Sequence, residues 1–185
     1  MSFGSSKRSK KGSTNKRISR IHDDCEESCN NKKVNRGVQV PQEPLGTGLP
    51  GFAYIYDTTQ QILLANDQVT FNTNGVITPA GFVTHVTGTA PIIINQTGTY
   101  LITYEVFPLG TFNNFAFALF NGNNQIAGSN YGGNNSVVTQ SGQVITTLNA
   151  SDVLTLRALN PATLLNMNTI GTPVISASIV ILKLA

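Results

Sequence analysis

Charged side chains almost vanish from this sequence after residue 44. The chain has 185 residues and twelve Lys and Arg, of which only Arg157 and Lys183 lie beyond Leu45. With Asp57, Asp67, Glu105 and Asp152 they make six charged residues in the 141 from Leu45 to Ala185. An ordinary domain of that length would carry about 35. Solvation therefore falls to neutral groups, and residues 45–185 hold 16 Asn and 20 Thr. Little like-charge repulsion keeps such bodies apart, so obligate assembly is expected.

Other absences narrow the function classes. No apolar run of seven or more residues follows Met1, so no secretory signal is expected, and no stretch of about 20 apolar residues would span a membrane. The sequons at Asn95, Asn134 and Asn149 then reflect Asn- and Thr-rich composition. No segment has sustained helical periodicity. The four carboxylates of the body are scattered, its one histidine, His85, sits in a strand pattern, and no nucleophile, base and orienting acid can be assembled from them. Enzymatic activity, catalytic residues, a cofactor and a clustered-carboxylate metal site are therefore not expected.

What is present falls into two parts. Residues 1–44 form a basic arm with ten Lys and Arg against five acids, about +5, while residues 45–185 carry two against four, about −2. Lys7–Arg20 holds seven positive charges, no acid and almost no apolar content, which cannot offset the entropy of ordering. "VQVPQEPLGTGLPG" has three Pro and three Gly in fourteen residues and reads as an extended, semi-stiff connector. No aromatic interleaves the basic run, so a single-strand stacking platform is not expected. It either solvates subunits before assembly or meets nucleic acid or an acidic partner.

The body reads as β throughout. In "GTYLITYEVF", Tyr100, Ile102, Tyr104 and Val106 alternate with Leu101, Thr103, Glu105 and Phe107. "NFAFALF", "DVLTLRAL" and "ISASIVILKL" continue in the same way, which is the strand period. Turn clusters such as "NTNG", "NQTG", "NGNN" and "NASD" separate them, with Asn121-Gly122 the firmest hairpin signal. Eight to ten short strands at this spacing predict a sandwich or jelly roll. "PIIIN" and "SIVILKL" are apolar on both faces, where a lone sandwich has a polar exterior. A second copy of the same neutral domain is the economical cover.

The order of "TGTYLITYEV", "FALFNGNNQIAGS", "SGQVITTLNASDVLTLR" and "ISASIVILKL" resembles the tumour-necrosis-factor/complement globular-head superfamily. Gly98, Tyr100, Asn121, Gly122, Gly142 and Asp152 stand at matching places. With "GFAYIYDTT" at its start, the stretch Gly51–Ala185 is similar to the C-terminal heads of bacterial spore-surface BclA-type proteins. The resemblance implies a ten-stranded, TNF-like jelly roll that forms homotrimers about a threefold axis. BclA-type heads tip a collagen-like stalk, but Gly46, Gly48 and Gly51 are not spaced every third residue. A basic arm stands in place of the stalk, as in endospore appendage fibres, whose trimeric heads are threaded by N-terminal connectors. The implied setting is the exosporium or an appendage of a spore, reached after synthesis in the mother-cell cytosol, with other spore-surface proteins as further partners.

Candidate residues follow. Cys25 and Cys29, the only cysteines, would bridge neighbouring chains once the cytosol is lost, remain free thiols, or join His22 in a three-ligand metal site. Tyr54, Tyr56, Tyr100 and Tyr104 are the trimer-interface candidates, because a tyrosine buries its ring while its hydroxyl finds a partner. The leading expectation is a non-enzymatic structural protein whose trimers are joined through the arm into a layer or fibre. A glycan- or host-binding head and a nucleic-acid-packaging coat protein are the alternatives.

Overall fold

The computed structural model describes residues 48–110, 114–134, 138–165 and 172–185, all within the second of two units, Glu43–Ala185. The basic run, His22, Cys25, Cys29, the connector as far as Thr47 and part of the Asn134 sequon lie outside the described residues. Among those described there are fourteen strands and no helix.

Five strands, β1 (Gly51–Asp57), β3 (Thr73–Thr78), β6 (Gly98–Val106), β11 (Gln140–Leu148) and β14 (Ala177–Lys183), form one antiparallel sheet. Its order is β11-β6-β14-β1-β3. A second sheet contains β4 (Val83–His85), β5 (Ile92–Ile94), β8 (Phe115–Asn121), β10 (Tyr131–Gly133) and β12 (Val153–Ala158), in the order β10-β8-β12-β5-β4. β9 (Asn124–Gln125) pairs back on β8. A small sheet of β2 (Gln61–Leu63), β13 (Ala162–Leu164) and β7 (Pro108–Gly110) adds to these, in that order.

The two large sheets meet face to face, and alternation decides what lies between them. Tyr100, Ile102, Tyr104 and Val106 of β6, Ala53 and Ile55 of β1, and Ile179 and Ile181 of β14 point inward from the first. Phe115, Phe117 and Leu119 of β8 and Leu154 and Leu156 of β12 meet them from the second. The all-β sandwich read from the alternation is present. The expected ten strands are replaced by fourteen shorter ones among the described residues, because three-residue pieces such as β2, β7 and β13 are too brief to show a period of two.

Local chemistry fixes the ends of these elements. The hairpin between β8 and β9 pairs Asn121 with Asn124, so its two loop residues are Gly122 and Asn123. Gly122 has φ +58, a conformation in which a side chain is strained. The turn sits one residue later than the Asn-Gly signal suggests, since Asn121 is still a strand residue. At the far end of β1, Asp57 is 1% exposed and its Oδ2 accepts from Thr59 N (3.0 Å), Thr59 Oγ1 (2.8 Å), Gln61 Nε2 (2.9 Å) and Ser176 Oγ (2.9 Å). A buried carboxylate is tolerated when neutral donors converge on it. His85 is likewise satisfied inside, its ring nitrogens contacting Asn74 Oδ1 and Thr89 O.

On the second sheet one outward aromatic ring is covered. The Arg157 guanidinium lies 4.5 Å from the centre of the Phe120 ring and donates to Thr155 Oγ1 and Gly122 O. One of the two cations of the body is thus occupied in shielding an outward aromatic ring. Among the described residues the first sheet carries no comparable cation over an outward ring.

Candidate functional site: the outer face of the five-stranded sheet

Register across β1, β14, β6 and β11 lines up three rows of outward residues. Phe52 pairs with Leu182, Leu182 with Leu101, and Leu101 with Ile145. The next row is Tyr54, Val180, Thr103 and Gln143, and the third is Tyr56, Ser178, Glu105 and Ser141. The face therefore grades from wholly apolar, at the end where β1 begins, to polar where it ends. Ile145 is 64% exposed, and Tyr54 and Tyr56 are half-buried with their rings stacked at 5.3 Å. One apolar row that continues across four strands, with Tyr54 and Val180 beside it, makes a contiguous patch rather than scattered exposed residues.

The edge beside this face is equally open. β11 is a nine-residue edge strand, "QSGQVITTL", with no charge and no proline. Natural edges are usually blunted by such residues, by bulges or by a covering element. Next to it, Tyr131 of β10 (37% exposed), Gln143, Val144, Ile145 and Leu101 line an open groove. Nearer the polar end, Glu105 lines hollows shared with Tyr54, Ser178, Ser141 and Thr139. Glu105 is the one charged side chain in the three rows.

The four tyrosines singled out from the sequence divide into two pairs. Tyr54 and Tyr56 stand on this outer face. Tyr100 and Tyr104 are 0% and 1% exposed on the inner face of β6. The Tyr100 hydroxyl donates to Gln96 O, and that of Tyr104 lies 2.8 Å from Phe117 O and 2.9 Å from Ser129 O. As core residues with satisfied hydroxyls, they have no ring area left for a second chain, which corrects their candidacy. Leu101, Ile145, Val180 and Leu182 share this outer face and were not singled out from the sequence. The signal for them was present, because they occupy the other parity of the same alternating strands.

Burial pushes both inner phenols above the ordinary tyrosine range, Tyr104 most strongly. The folded chain therefore keeps these protons at a pH where the unfolded chain has released them. Their contribution is complete below the unfolded value and declines as pH rises past about 10. The urea midpoint should be level from about pH 8 to about pH 9 and fall beyond about pH 10, and less steeply in Tyr104→Phe.

Among the described residues no group of three His, Cys, Asp or Glu is placed to hold a metal ion. This surface presents one apolar row, a strand edge and one carboxylate.

No family model matches the chain, and no curated protein matches it in sequence. Solved structures do match the fold. The globular domain of zebrafish complement 1qA is similar at 13% identity and TM-score 0.50, over 73% of this chain and 97% of that one. The PRD1 vertex protein P5 is similar at 16% identity and TM-score 0.50, over 75% of this chain and 99% of that one. The fold of the body is thus that of the complement-type globular heads.

Proposed function

We propose that this chain is a non-enzymatic structural subunit that forms homotrimers through the outer face of its five-stranded sheet. The observation that carries this reading is the outward row that is apolar from Phe52 to Ile145, on a body with six charged residues. Tyr54 and Tyr56 are its remaining tyrosine contacts. Burying such a face removes apolar area from water at about 25 cal/mol per Å². The edge strand β11 and its groove give a second surface continuous with the first, which suits a ring in which each copy meets two others.

The finer part of the reading is that trimers are joined through the N-terminal arm into a spore-surface layer or appendage fibre. It draws on the likeness of Gly51–Ala185 to BclA-type heads, the missing collagen repeat, and the charge contrast between arm and body. Cys25 and Cys29 then staple neighbouring chains once the surroundings oxidise. Electron micrographs of the oxidised full chain should show linked units that shorten on reduction. Unlinked units in both states would remove the arm and the cysteines from the account and leave the trimer.

A further inference from the structure

β3 and β4 are the outermost strands of their sheets on one flank of the sandwich, and among the described residues they do not pair with each other. Side chains cross the gap instead. Asn74 of β3 donates from Nδ2 to His85 O at 3.0 Å, and its Oδ1 meets His85 Nδ1. The other ring nitrogen, Nε2, lies 3.0 Å from Thr89 O. That carbonyl also accepts from Phe71 N, and Gly88 N donates to Phe71 O, so the ring is fastened to a turn that is itself tied down.

The bond from Nδ2 to a backbone carbonyl decides which end of the Asn74 amide faces the ring, and it is the oxygen. An amide oxygen and a backbone carbonyl only accept, so both ring nitrogens have to donate. A neutral imidazole carries one N–H, and the imidazolium carries two. The groups that face the ring are Asn74 on β3, Ile92 as its pair on β5, Thr89, and Phe71 with its ring centre 6.0 Å away. None of the four titrates or carries charge, so the demand for a second ring proton comes from the two acceptors.

We propose that His85 is a proton-operated clasp: with two ring protons it fastens β4 to β3 and to the Thr89 turn, and the loss of one loosens this flank. A nitrogen without its proton turns a lone pair towards an oxygen, and that contact must widen or admit water. Loosening exposes two strand edges, with Val76 and Val86 already exposed beside them, and unpaired edges are templates for other chains. The ring gains its second partner together with its second proton. The clasp is therefore complete in acid and is lost as pH rises through the histidine range, about pH 5 to 8. It is independent of the trimer reading, which concerns the outer face of the first sheet.

Nitrogen-15 spectra of the histidine rings in the full chain test the proton count, and His22→Gln leaves only the His85 signal to follow. At about pH 5.5 both His85 nitrogens should carry a proton, and at about pH 8 only one. Over the same interval the unfolding constant in urea should rise about tenfold or more in the wild type and stay level in His85→Gln. In wild-type hydrogen exchange, corrected for the intrinsic rate, β3 and β4 should lose more protection than β6 and β14. A His85 ring with one proton at both ends of the range overturns the inference, as does a wild-type unfolding constant as level as that of His85→Gln. Equal loss of protection in all four strands also overturns it, since no flank would then open by itself.

Discussion

Leu101→Glu should convert the proposed trimer into a folded single chain. Leu101 stands in the middle of the apolar row, between Leu182 and Ile145, and its side chain is on the outside of the sandwich. In one isolated chain the new carboxylate meets water, so cooperative unfolding should persist with little loss. In the trimer it meets apolar surface, where an uncompensated buried charge costs about 3–5 kcal/mol. That weakens each contact about 10²- to 10⁴-fold, and the three copies compound it. Ile93→Glu is the control. Ile93 is 38% exposed on β5 of the other sheet, so the same charge there should leave the trimer intact. Equal loss from both variants would mean that the outer face of the first sheet is not the contact.

Tyr104→Ala should produce the largest loss of protomer stability, about 3–5 kcal/mol for an emptied aromatic site. The ring fills the centre of the sandwich, and its hydroxyl bridges the carbonyls of Phe117 on β8 and Ser129 in the segment before β10. Truncation leaves a cavity and withdraws a donor from two carbonyls in a buried setting, where an unmet polar group adds about 1–3 kcal/mol. Against a total of about 5–15 kcal/mol, such a change puts folding at risk. Gly142 tests the same site from the other side. A Cβ there would lie 2.4 Å from the Tyr104 ring, so Gly142→Ala must displace the ring. We expect a loss of about 1–3 kcal/mol, typical of overpacking. Denaturant titration of the two variants separates cavity from collision, because only the second is relieved when Tyr104 is also shortened.

Gly142 also shows what was legible in the sequence. It was marked by its place in a pattern of strands, and the structure supplies the physical reason: the tyrosine on the paired strand occupies the volume of its side chain. The alternation in β6, β8, β12 and β14 was readable because each strand is long enough to repeat a period of two several times. The small sheet was not, since three residues per strand leave nothing to repeat and its pairing is set by distant segments. The tyrosines divide for a related reason. Parity says which residues share a face but not which face is inside, and Tyr100 and Tyr104 have the opposite sense to Tyr54 and Tyr56 once their strands are registered. Glu105 looked like one scattered acid among four until register placed it at the end of an otherwise uncharged face.

Dilution of the full chain, followed by native mass measurement at each step, addresses the trimer directly. The account predicts a species of three chains that persists to low concentration without an intermediate pair. A single chain at every concentration, with Tyr54, Tyr56 and Ile145 freely accessible to labelling reagents, would contradict it.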